Sequence, residues 1–204
     1  MSRSAALSTT GAAYLILTCY MLFAGLNMLY PVQGWEALLF LLPGVISLYL
    51  LLNTGLSREE CYVKWQPISI LGLLLLILPA LGLLAILSWH RPQFAWNWQM
   101  ALFNVPVSAI AQELFFRAAL LVTLLRIFKL PPVFAIFIQA VLFAAWHLPE
   151  FFHLRNPADA GWYSALLILL GISWGVQVIR DRSIVYAIIM HIILLLPIRL
   201  ITMH

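Results

Sequence analysis

The sequence predicts an all-α polytopic membrane protein, with about seven transmembrane helices around a polar intramembrane cavity. Three observations predict it. The 204 residues are 64% hydrophobic and only 9% charged, too few charges to cover a soluble domain of this length. Apolar runs of about 20 residues recur along the chain, the length at which a helix crosses a hydrocarbon core of about 30 Å. Inside three of those runs, polar residues that have no easy place in lipid return at helical spacing. No soluble domain, linker, low-complexity tract or clear repeat interrupts the pattern, so residues 1–204 read as a single membrane-embedded domain.

The expected spans cover roughly residues 8–30, 35–53, 67–89, 98–127, 131–148, 161–180 and 184–202. The first follows Arg3 and runs to about Tyr30. It is long for a cleavable signal and lacks a small-x-small site, so it reads as a retained span. The breaks carry turn or interface chemistry: Pro31, the polar stretch 57–65, His90–Arg91–Pro92, Lys129 to Pro132, Pro149 to Gly161, and Arg180–Asp181–Arg182. Trp35, Trp65, Trp89, Trp96, Trp98 and Trp162 fall near span ends, where amphipathic aromatics settle. Pro43, Pro79 and Pro106 lie inside spans and predict kinks that neighbouring helices make tolerable. Gly171 and Gly175 form a small-xxx-small pair, which predicts close helix packing. Cys19 and Cys61 lie at different depths and read as structural thiols, not as a disulfide.

Cations set the orientation. Arg3, Arg58, Lys64, Arg126, Lys129, Arg180 and Arg182 fall on the N-terminal side of the membrane, and Arg91, Arg155 and Arg199 on the other. That bias predicts a cytoplasmic N-terminus. The net charge of +4 is therefore a topology signal and not a nucleic-acid one.

Arg117 is the cation left inside a span. Glu113 precedes it by four residues, so the two stack on one helical face, where pairing lowers the cost of burying each. Alone, such a pair reads equally well as a structural lock between helices. On the same helix Asn104, Ser108 and Gln112 form a polar stripe about 100° round from Glu113. The next span carries Gln139, Phe143 and His147 at steps of four, and the last carries His191 in an apolar setting. His90, His153 and His204 lie at span ends and read as interfacial. Ionisable groups from three spans can meet in one cavity, which marks a functional site. They could support activation of water by a carboxylate with a histidine partner, then stabilisation of an oxyanion.

These residues carry a resemblance to the CPBP family, the CAAX prenyl endopeptidases and bacteriocin-processing proteins also described as glutamic-type intramembrane proteases. The family pattern is Glu-Glu-x-x-x-Arg, then Phe-x-x-x-His, then His-x-x-x-Asn. This chain has Gln112-Glu113-x-x-x-Arg117, Phe143-x-x-x-His147, and His191 followed by Leu195, with the motifs inside roughly residues 98–200. The resemblance implies an intramembrane endopeptidase that cuts membrane-associated proteins near their C-terminus, including a C-terminal sorting-signal subfamily. It implies a membrane-anchored protein or peptide as partner and a prokaryotic inner membrane as location. It implies catalytic roles for position 112, Glu113, Arg117, His147 and His191, with Asn104, Ser108, Gln139 and Phe143 lining the cavity. His147 would hold the water, His191 the oxyanion, and Glu113 with Arg117 would orient the side chain at 112.

Two positions depart from the pattern. Gln112 stands where the family places its base, and an amide cannot take a proton from water. The chain therefore reads as an inactive Glu-to-Gln form, or as a natural departure in which Glu113 serves as base or the protein is a non-catalytic relative that binds or confers immunity. Leu195 replaces the Asn of the oxyanion side. No cofactor or metal ligand set is expected, since His-Glu-x-x-His is absent. A zinc-dependent intramembrane protease stays as an alternative because two His and one Glu suffice for zinc. A transporter fits less well, with few broken helices and no inverted repeat.

Overall fold

The computed structural model of the protein describes residues 8–29, 38–89, 93–94, 96–148 and 157–202. Among the described residues there are seven helices, one at each expected span. They are α1 (Thr9–Leu29), α2 (Leu41–Asn53), α3 (Ile70–Trp89), α4 (Met100–Ile127), α5 (Pro132–Trp146), α6 (Pro157–Asp181) and α7 (Val185–Leu200). A two-residue antiparallel pair, β1 (Gln93–Phe94) with β2 (Ile201–Thr202), joins the segment before α4 to the end of α7. Arg3, Pro31, Trp35, His90, Arg91, Pro92, Pro149, His153, Arg155 and His204 lie outside the described residues.

Length divides these helices. Thr9–Asn27, Met100–Ile127 and Gly161–Asp181 are long and apolar enough to cross a membrane, whereas Leu38–Asn53, Ile70–Ala85, Pro132–Trp146 and Val185–Ile198 are apolar but shorter. At 1.5 Å per residue the 15 residues of α5 reach only about 22 Å. The expected fifth span, 131–148, is thus shorter as a helix than as an apolar run.

α4 is the axis of the bundle. An 18-residue stretch of it is 83% buried, against 28% for α1 and 33% for α6. It packs on α1, α2, α5 and α7. Gly44 of α2 permits the closest approach, because a Cβ there would stand 3.1 Å from Leu114 Cβ and 3.3 Å from the Ala111 carbonyl oxygen. Three wide turns interrupt the regular winding of α4, at Met100–Asn104, Leu114–Leu120 and Thr123–Ile127. Each closes with an i→i+5 bond: Val105 N–H to Met100 C=O, Leu121 N–H to Phe116 C=O, and Phe128 N–H to Thr123 C=O. Such turns are rare and concentrate at functional sites. The middle one starts directly after Glu113 and contains Arg117.

α6 packs between α3 and α5. A Cβ on Gly171 would lie 2.9 Å from Ala140 Cβ and 3.0 Å from Ala140 Cα, and one on Gly175 would lie 3.2 Å from Gln139 Oε1. The small-xxx-small pair therefore does what its spacing predicts. On its other side α6 repairs α3. Pro79 has no N–H to offer the Leu75 carbonyl one turn back. The Ser173 hydroxyl donates to that carbonyl, and Trp174 Nε1–H donates to the Leu76 carbonyl at 3.2 Å.

α1 holds α5 in the same manner. The Tyr20 hydroxyl donates to the Leu142 carbonyl at 3.1 Å, the Asn27 amide to the Trp146 carbonyl at 2.7 Å, and Trp146 Nε1–H to the Phe23 carbonyl at 3.2 Å. The Trp146 carbonyl ends α5, where the helix itself supplies no donor. Phe23, Phe40, Phe115, Phe116, Phe143 and Trp146 interlock around these bonds, with Phe23 and Trp146 centroids 4.9 Å apart.

The connection 54–69 is tied down at both ends. Ser57 and Glu60 exchange hydrogen bonds: Ser57 N–H and Oγ donate to Glu60 Oε2 at 2.9 Å, and Glu60 N–H donates to Ser57 Oγ at 3.2 Å. Ile184 N–H then donates to the Tyr62 carbonyl at 2.9 Å. Asp181 closes the far end, accepting from the Ser69 hydroxyl at 2.8 Å and the Gln177 amide at 3.3 Å. The Asp181 carboxylate occupies the space a Cβ on Gly72 would need. Cys19 and Cys61 are free and buried. Burial, with the Glu60 carboxylate adding to it, pushes the Cys61 thiol up to about 11, so it stays protonated near neutrality.

Gly171→Val should lower the unfolding midpoint, at a cost of about 1–3 kcal/mol or more, because the contact at Ala140 is with backbone and cannot swing away. Gly82→Ala, which meets nothing within 4 Å, should be close to neutral. Thermal unfolding in detergent distinguishes the two, and equal midpoints would show that the α5–α6 seam is not tight.

Candidate active site

Glu113 and Arg117 are both fully buried on α4, with Arg117 Nε 3.3 Å from Glu113 Oε2. His191 of α7 places Nδ1 2.7 Å from the other carboxylate oxygen, Oε1. The two contacts are unequal. The second is a short hydrogen bond to a charged acceptor, whereas the first is an ion pair without hydrogen-bond alignment. The directed partner of Glu113 is therefore His191.

Aromatic rings close round this pair. The Arg117 guanidinium carbon lies 4.4 Å from the Phe143 ring centroid and 5.8 Å from that of Trp174, an arrangement that offsets part of the lost hydration of the cation. Phe143 also meets both histidines edge-on, His147 at 5.0 Å and His191 at 6.3 Å. His147 follows the last residue of α5, is 5% exposed, and packs against Trp146 at 4.8 Å. Trp174 completes the wall, 5.3 Å from His191.

The polar stripe of α4 lies inside the bundle, with Asn104, Ser108 and Gln112 all buried. Gln112 Nε2 donates to Ser108 Oγ at 3.1 Å. Gln139 is fully buried in the α5–α6 seam against Gly175, one turn below Phe143. Gln112 Oε1, both terminal nitrogens of Arg117 and both amide atoms of Gln139 have no hydrogen-bond partner among the described residues. Buried polar atoms of this kind make the interior receptive to water or to a peptide group.

α4, α5 and α7 thus bring Glu113, Arg117, Phe143, His147 and His191 together, while Gln112 is buried on α4 with Ser108 as its hydrogen-bond partner and Gln139 belongs to the α6 side. Leu195 does not join them. It is buried with Val105 and Ala109 in a small apolar cluster between α4 and α7, so a packing residue stands where the motif has an amide. Trp174 is the residue that spacing missed. Its signal was a tryptophan in mid-span, away from the span ends where the other tryptophans of the sequence analysis fall. Among the described residues no group of three or more His, Cys, Asp and Glu is arranged to hold a metal ion.

Arg117→Met should cost about 3–5 kcal/mol, because it strands a buried carboxylate. Arg117→Met with Glu113→Gln should cost less than the single change, since no charge is then left unpaired. Chemical unfolding of the three variants measures the coupling, and simple additivity would dissolve the pair as a unit.

Comparison with known proteins gives the family. A family model described as type II CAAX prenyl endopeptidase Rce1-like matches residues 94–195, half of the chain and the half that holds every residue of the site. No curated protein and no solved structure gives a match. The chain belongs to the Rce1-like type II CAAX prenyl endopeptidase family, in keeping with the resemblance of its motifs to the CPBP proteins.

Proposed function

We propose that the protein is an intramembrane endopeptidase that hydrolyses a peptide bond near the C-terminus of a membrane-anchored protein, using a water held among position 112, Glu113, His147 and His191. One observation carries the reading. A carboxylate, a guanidinium and two imidazoles from three helices are each at most 5% exposed, and an Rce1-like peptidase family is the one matched over this region. Burying that many ionisable groups is costly unless chemistry requires them.

Gln112 sets the rate. Its amide, bonded to Ser108, has the shape of a glutamate without the basicity. Gln112→Glu should therefore raise cleavage of a single-span fusion protein with an apolar C-terminal tail, or of a prenylated peptide, by about 10²–10⁴-fold. His147→Ala in that background should remove most of the gain. Equal rates before and after Gln112→Glu would show that position 112 is not where a base is needed. Failure of both forms on every such substrate would favour a non-catalytic binding role.

The proposed setting is seven spans in a prokaryotic inner membrane with the N-terminus in the cytoplasm. The cations support it. The connection 54–69 and the α6–α7 turn, which carry Arg58, Lys64, Arg180 and Arg182, meet through Ile184 and Tyr62, and Arg126 hydrogen-bonds Tyr62. They share one end of the bundle, as a positive inner face would. This leaves His147 toward the outer face and favours a tail presented from that side. Trp98→Cys should react with an impermeant maleimide added to intact cells and Lys129→Cys should not, with the native thiols buried in both. The reverse pattern would invert the orientation.

A further inference from the structure

We propose that in this chain the general base is His191, positioned by Glu113. The inference rests on the peptidase reading above and assigns the roles within it differently from the motif. Glu113 Oε1 lies 2.7 Å from His191 Nδ1, and a carboxylate only accepts, so Nδ1 carries the hydrogen and Nε2 keeps its lone pair. Arg117, on the other carboxylate oxygen, holds Glu113 in place for that bond. A carboxylate that fixes the tautomer and orientation of an imidazole is the arrangement by which a histidine serves as a base in hydrolases that lack a basic carboxylate at the nucleophile. The groups facing His191 are Glu113 and Arg117 from α4, His147 from α5, and the uncharged Trp174 from α6.

The step balances. His191 Nε2 takes a proton from water as the water oxygen bonds to the scissile carbonyl carbon, and the carbonyl π electrons move to its oxygen. The electron pair returns, the C–N bond breaks, and the imidazolium gives its proton to the departing nitrogen. The second hydrogen of the water stays on the new carboxyl group and passes to solvent or to the released amine.

The test uses the full-length protein in detergent and a fluorogenic prenylated peptide, followed to low turnover. The chain as given should cleave above background. His191→Asn and Glu113→Gln should each lower kcat by about 10²–10⁴-fold with KM little changed, and Glu113→Asp should recover part of the loss. In the Gln112→Glu background, Glu113→Gln should cost far less, because a carboxylate base is again present. A readout independent of turnover is ¹⁵N NMR of histidine-labelled protein. His191 should show a protonated Nδ1 and a bare Nε2, and Glu113→Gln combined with Arg117→Met, which leaves no buried charge unpaired, should weaken that preference at an unfolding midpoint measured alongside. The proposal is overturned if His191 carries its hydrogen on Nε2. It is also overturned if Gln112→Glu cleaves while the chain as given does not, or if residual cleavage survives His191→Asn and is lost only with His147→Ala. If neither the chain as given nor Gln112→Glu cleaves, the peptidase reading itself fails and the base assignment falls with it.

Discussion

The structure depends on one constraint: a carboxylate has been put where there is no bulk water to solvate it. Glu113 is tolerable inside the bundle only because Arg117 and His191 reach it from two directions. Each partner brings its own demand. The guanidinium needs ring faces, which Phe143 and Trp174 supply from α5 and α6, and His191 needs α7 at a fixed rotation. A single charge thereby sets the mutual register of four helices. Apolar packing between helices in lipid is nearly indifferent to rotation, so polar contacts of this kind decide which faces meet.

Much of this was legible in the sequence, and the reason is cost. Residues as unwelcome in a membrane helix as Glu113, Arg117, His147 and His191 announce themselves wherever they stand, and spacing of three or four places them on common faces. The glycines of α6 were legible for the opposite reason, since a missing side chain at positions 171 and 175 has few explanations inside a span. What periodicity could not supply is which face meets which. His191 and Glu113 are 78 residues apart, and nothing local says that the imidazole takes Oε1 while Arg117 takes Oε2. The wide turns of α4 shift the phase of the helix within the motif itself and leave no compositional trace.

The two departures from the motif look different once their surroundings are known. Leu195 sits with Val105 and Ala109, an environment in which an amide would be the misfit. Gln112 has a hydroxyl partner one turn back in Ser108. Leu195 is at home among apolar neighbours, whereas Gln112 is partnered at its nitrogen and not at Oε1 among the described residues.

The three N-terminal helices lie outside the stretch that matches the family, yet they seat the walls of the site. The Leu75 and Leu76 carbonyls of α3 anchor Ser173 and Trp174, and the Phe23 carbonyl of α1 anchors Trp146 beside His147. The ionisable groups and the rings that bound them thus stand in the matched stretch, while carbonyls that anchor two of those rings stand outside it. Moving Pro79 along α3 would free a different carbonyl and so shift the seat of Ser173 and Trp174 without touching a motif residue. The walls around Glu113 are thus placed partly by sequence that carries no motif at all.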